Sequence, residues 1–158
     1  MDRLELVREQ VDRIIATLQK EELRKFAYIH TYGVAQAAAM LAKTRELDVE
    51  ISCVAAMLHD IALYACNCPH KEHAQKSAVY ARTLLQELHA FTEEEIQLIV
   101  NVISVHSDKL VRHDGPYSEM LKDADVLQHY LYNVNIELSE RDNVRLFYLL
   151  EDLRKLSQ

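Results

Sequence analysis

Apolar residues recur along this chain at steps of three and four, the spacing of one face of an α-helix, and the pattern restarts about seven times. Leu4, Val7, Val11, Ile14 and Leu18 make a first stripe with a charged outer face. After a polar joint at 21–25, a second stripe holds His30, Val34, Ala37 and Leu41. The alanines at 37–39 suit close approach of a neighbouring helix. Asp48 is placed to cap a third helix, which carries Ile51, Val54 and Leu58. Beyond Glu50 that helix has hardly any charged face, so it is expected to be the central one, covered on most sides.

Asn67, Cys68 and Pro69 end the third helix, and a loop follows. A fourth helix carries His73, Ser77, Tyr80, Leu84 and Leu88 on one face. Thr92 with Glu95 has the spacing of a capping box for a fifth, where Ile96, Ile99 and Ile103 line up with His106. The longest polar connection, 108–117, contains Gly115 and Pro116. Ser118 is expected to cap a sixth helix, where Leu121, Asp125 and Gln128 share a face. Ser139 opens a last one, with Val144, Phe147, Leu150 and Leu153 as its stripe. The expectation is an all-α fold: one helical-bundle domain over 1–158, with a core at about 26–130 and outer helices at 2–19 and 139–156.

Composition narrows this further. Two glycines and two prolines in 158 residues leave no room for a glycine-rich phosphate loop or for frequent strand turns. A formal net charge of -7 argues against a large nucleic-acid surface. No apolar run reaches the roughly 18 residues of a membrane span, and no basic start precedes an apolar core. Cys53, Cys66 and Cys68 are too few for a disulfide framework. These features are read as a soluble, cytoplasmic chain, with a homodimer left open.

Chemistry enters with His59 and Asp60, adjacent in the middle of the most apolar stretch. Burying either unpaired would be costly, and a metal ion suits a neutral imidazole and a carboxylate together. His30, His106 and Asp125 occupy core-facing stripes of other helices, and His73 adds a sixth candidate. Taken singly, a histidine on an apolar stripe is more often a satisfied core residue than a ligand. A core-facing aspartate has fewer alternatives. Helical bundles build interior metal sites from facing helices in this manner. The donor set suits Fe, Mn, Zn, Co or Ni, and six ligands fit two ions bridged by one carboxylate, for which Asp60 is the candidate.

The ordered set His30, then His59-Asp60, then Asp125 resembles the HD-domain superfamily of metal-dependent phosphohydrolases. Its helical context fits too: Val34-Ala35 after His30, Leu58 and Ile61 around the pair, and Leu121-Lys122-Asp123-Ala124 before Asp125. The resemblance implies a metal held by His30, His59, Asp60 and Asp125, with His73 and His106 matching the histidines that dinuclear members add. It implies hydrolysis of a small nucleotide or dinucleoside polyphosphate by metal-activated water, with Asp60 and Asp125 in catalytic positions. Two departures stand out. Leu63 occupies a position where many members carry lysine, and Ser107 follows His106 where some carry a second histidine; the first argues against the cyclic-dinucleotide phosphodiesterase branch. Alternatives are a metal-binding regulatory or ligand-sensing module without turnover, and a di-iron oxygenase.

For the substrate phosphate, Lys109 is the favoured cation, three residues after His106 and expected to act without touching metal. Arg112, Lys122, Lys71 and Lys76 are further candidates, although such residues usually just face solvent. Tyr64, Tyr80 and Tyr130 are candidates for lining a base pocket. Cys66, Cys68, His70 and His73 could form a zinc loop, but Cys-x-Cys spacing is tight and His73 is wanted elsewhere, so free thiols are the favoured reading.

Overall fold

A computed structural model of the chain describes residues 2–110 and 112–155. Among them are α1 (Arg3–Ala16), α2 (Glu21–Thr44), α3 (Val49–Leu58), α4 (Ile61–Ala65), a 3-10 turn (His70–Glu72), α5 (His73–Leu88), α6 (Glu93–Val105), α7 (Pro116–Tyr132) and α8 (Glu140–Lys155). No strand occurs among the described residues. The fold is all-α and each of the seven expected helices is present. Among the described residues the count rises to eight, because the third is broken at His59-Asp60. Residue 156, the expected end of the last helix, lies outside the described residues.

α3 is the central helix. Every residue from Ile51 to Leu58 is buried, and the helix packs on α1, α2, α5, α6 and α7. Asp48 caps it through Ile51 N–H at 2.9 Å, and the capping box of Thr92 and Glu95 opens α6. On the outside, Arg3 bridges Glu50 and Glu95, tying α1 to α3 and α6. No helix among the described residues is long and apolar enough to cross a membrane.

Three local expectations are corrected. The joint after α1 lies at 17–20, and the polar residues from Glu21 already belong to α2. Glu21 and Glu22 suit a helix start, where carboxylates meet the positive end of the helix dipole. α7 begins at Pro116 with Gly115 (φ 95°) before it, so Ser118 is a buried first-turn residue and not the cap. α8 is rotated relative to its expected stripe: its buried residues are Arg145, Leu146 and Leu149, while Val144 and Phe147 are exposed.

Arg145 explains that rotation. Its Nε donates to the Lys109 carbonyl at 2.9 Å, Nη1 to Asp123 at 2.8 Å and Nη2 to Glu119 at 2.9 Å. A guanidinium can be buried when all three nitrogens are engaged in this manner. α8 therefore turns an arginine inward onto α7 and onto the loop after α6.

Candidate metal centre

The break between α3 and α4 creates the centre. In a continuous helix, adjacent side chains point about 100° apart. Here α3 stops at Leu58, His59 caps it, and Asp60 leaves helical geometry at φ -110°, ψ 10°. The bend turns both side chains toward one point, with His59 Nε2 3.5 Å from Asp60 Oδ2. The freed Ala62 N–H at the start of α4 donates to Ser77 Oγ of α5 at 3.1 Å, which fixes the bend against that helix.

All six sequence candidates converge. On the Oδ2 side of Asp60, His30 Nε2 lies at 3.4 Å, and it is 3.1 Å from His59 Nε2 and 3.5 Å from Asp125 Oδ1. On the Oδ1 side, His73 Nε2 lies at 3.2 Å and His106 Nε2 at 3.4 Å, with 3.0 Å between the two nitrogens. His30, His59, His73, His106 and Asp125 are buried, and the Asp60 side chain is 14% exposed.

Each imidazole is held through its other nitrogen. Nδ1 of His59 lies 2.7 Å from the Ala56 carbonyl and Nδ1 of His106 lies 2.7 Å from that of Ile103. Nδ1 of His73 is paired with the His70 carbonyl, and Nδ1 of His30 with Gln128 Oε1 at 2.8 Å. With Nδ1 donating, every Nε2 lone pair faces the cluster, the arrangement seen around metal-ligating histidines.

The donor set fits a cation on an independent ground. Asp60 Oδ1 and Asp125 Oδ1 are buried oxygens without a hydrogen-bond donor. Two orphaned carboxylate oxygens among inward-facing imidazole nitrogens need positive charge. Two groups have ligand atoms close enough to share an ion: His30, His59 and Asp125, and His59, Asp60 and His106. The cluster can therefore hold one or two divalent ions.

Charge within the centre follows from burial and crowding. Burial alone would raise the Asp60 carboxyl, but His59, His106, His30 and His73 hold it well below the usual range. Asp125 is likewise lowered against burial, chiefly by Lys109. Burial pushes His59 down to about 4. For His30 and His73 burial acts downward too, yet contact with Asp60 wins and raises both.

Lys109 sits in the site, but not as a free loop cation. It is buried, with Nζ 2.5 Å from Asp125 Oδ2 and 2.8 Å from the His106 carbonyl, so its charge is engaged by a candidate ligand. Lys122 is fully buried and paired with Asp114 and Glu119, away from any solvated role. Arg112 stacks over Tyr148 at 4.1 Å, and Lys76 pairs with Glu72 at 2.9 Å. Tyr64 is buried with its hydroxyl unpaired, and burial raises its pKa. Tyr80 lines a separate groove of about 820 Å³ between α1, α4 and α5, which none of the six candidates lines. Tyr130 is half-buried against the core. Cys66 and Cys68 are free thiols, and neither belongs to a metal-competent cluster among the described residues.

His129 was not anticipated. It stacks on His30 at 4.8 Å, opposite Phe26 at 5.6 Å, and its Nε2 reaches 4.0 Å from Asp125 Oδ1. Its side chain is 38% exposed, which makes it the rim of the centre. The available signal was its place one turn beyond Asp125 on the same helix.

Comparisons with known proteins agree with this geometry. The fold is similar to a crystal structure described as a predicted HD superfamily hydrolase from an uncultured Thermotogales bacterium, with 19% identity, a TM-score of 0.59, and coverage of 94% of this chain and 90% of that one. No curated protein matches the sequence. The family model of the HD domain matches residues 27–130, which run from the turn before His30 through His59-Asp60 to Asp125. The chain belongs to the HD domain family.

Proposed function

We propose that the protein is a metal-dependent phosphohydrolase acting on a phosphorylated small molecule, a nucleotide or dinucleoside polyphosphate, with ions on both sides of Asp60. One observation carries this reading: each Asp60 oxygen is faced by its own pair of imidazole Nε2 atoms, all within 3.5 Å. A structural site for one ion has no need of five further ligands around a shared carboxylate.

His30, His59 and Asp125 would hold an ion on the Oδ2 side, and His73 and His106 one on the Oδ1 side. The nitrogen and carboxylate donors suit Fe, Mn, Zn, Co or Ni. When bound, such ions polarise a phosphoryl oxygen and acidify water. Around them, the chain's own groups orient and balance charge. Lys109 occupies Asp125 Oδ2 and so presents Oδ1 to the interior. Its ammonium also keeps positive charge beside the carboxylates, which eases the approach of a phosphate anion. His129 and the partly exposed edge of Asp60 mark the open side from which a substrate enters.

The test is metal analysis of protein purified without added metal, then a phosphate-release screen over mono-, di- and dinucleoside polyphosphates with each of the five metals. Metal-dependent release, lost on chelation and restored by metal, is the expected result. Full metal loading with no release from any substrate would make the protein a ligand-sensing module instead.

A further inference from the structure

The four histidines are oriented by two different devices. His59 and His106 cap the C-terminal ends of α3 and α6, and His73 begins α5 directly after the 3-10 turn. Each of these three finds its Nδ1 partner three residues back, in the carbonyl of Ala56, Ile103 or His70. At a helix end such a carbonyl has left the i→i+4 ladder and accepts at most a bond from the residue three on, so it keeps a lone pair for the ring. His30 has no such option. It lies inside α2, where the carbonyl three residues back serves the helix itself. Its acceptor comes from another helix, as the Gln128 amide of α7.

The Gln128 side chain packs directly against Gly33. A Cβ at position 33 would stand 2.8 Å from Gln128 Cγ, closer than unbonded carbon atoms approach, and a tight 3.2 Å from its Nε2. Gly33 is one of only two glycines in the chain, and as an interior helix residue it costs helix stability relative to alanine. Gln128 itself is buried.

We infer that Gln128 is the positioning residue that sets the His30 ring and its tautomer toward the metal, and that Gly33 is the vacancy that admits it. The inference rests on reading the cluster as a metal centre. Its action is indirect: Gln128 accepts the Nδ1 proton, which leaves the Nε2 lone pair on the side of Asp60 and Asp125.

Two measurements test it. The first is independent of metal: nitrogen-15 imidazole shifts of the metal-free protein at alkaline pH should show His30 with its proton on Nδ1. A proton on Nε2 would overturn the assignment, since the Gln128 amide would then be donating. The second is Zn²⁺ affinity by chelator competition. Q128L should weaken binding on the His30 side roughly 10- to 100-fold, while Q128E, which keeps an acceptor, stays close to wild type. G33A should weaken binding in the wild-type background and add nothing in Q128A, because the clash is gone. Wild-type affinity in Q128L, or a full G33A effect in Q128A, would refute the inference. Should Q128L fail to fold, Q128E and the tautomer still decide. A wild type that binds no Zn²⁺ would instead refute the metal-centre reading, with the tautomer result standing by itself.

Discussion

The two sides of Asp60 are built differently. On the Oδ1 side, His73 and His106 come from helix ends and are oriented by carbonyls of their own turns. On the Oδ2 side, His59 has the same local support from the Ala56 carbonyl, but His30 and Asp125 sit inside long helices and depend on side chains from elsewhere, Gln128 for one and Lys109 for the other. The Oδ1 half is therefore specified by where helices start and stop. Apart from His59, the Oδ2 half is specified by how α2, α7 and the loop after α6 pack. A site can be assembled from either kind of support, but they fail differently. Local support survives changes in distant packing, and tertiary support does not.

The largest effect should come from removing what the halves share. D60A leaves four imidazoles without their common carboxylate, so metal content by elemental analysis should fall to background and phosphate release should vanish. Retention of either ion would show that Asp60 is not the bridge.

Single-half variants come next. H106A should lose about half the bound metal and keep the His30 ion, and H30A should do the reverse; both should abolish phosphate release. Anomalous scattering from metal-loaded crystals shows which ion remains. If either variant lost all metal, the two halves would not be separable.

K109M asks how far the Oδ2 half leans on its neighbours. Breaking a buried ion pair from one side typically costs about 3–5 kcal/mol, because the other charge is stranded. Thermal unfolding of the metal-free protein should show that loss, and D125N should recover part of it in the double variant. Wild-type stability in K109M would mean that the pair contributes nothing, leaving Lys109 with phosphate alone.

The smallest effect is a proton count. In the metal-free protein His30 and His73 are raised above the ordinary imidazole value of 6.5. Their contribution to stability is thus fully present below pH 6.5 and is lost as pH rises through the raised values. Metal must displace these protons, so loading near neutral pH should release them, and affinity should fall as pH drops. Calorimetry in buffers of different ionisation enthalpy reads the number directly, and zero release at pH 7 would contradict the raised values.

The bundle was legible because every helix carries its own stripe, and the stripes of α2, α6 and α7 already put His30, His106 and Asp125 inside. The break at His59-Asp60 was not legible. The flanking residues are apolar on both sides, and nothing in their pattern distinguishes one buried helix from two. The inward face of α8 was misread for the opposite reason: Arg145 is charged, and partners such as the carboxylates of Glu119 and Asp123 and the Lys109 carbonyl make its burial sensible. Lys109 and Lys122 share this difficulty, because the partners that bury them belong to other turns or to the loop.

Arg145 also blurs the edge of the domain. The segment that identifies the family ends at residue 130, one helix short of it. A chain cut after α7 would keep all six residues of the cluster and still lose the clamp on the Lys109 carbonyl, leaving Asp123 to Arg45 and Glu119 to Lys122. The smallest transplantable unit of this centre is therefore longer than the stretch by which it is recognised. Divergence in the C-terminal helix, where family resemblance has already run out, becomes a route by which evolution can retune the site without changing a single ligand.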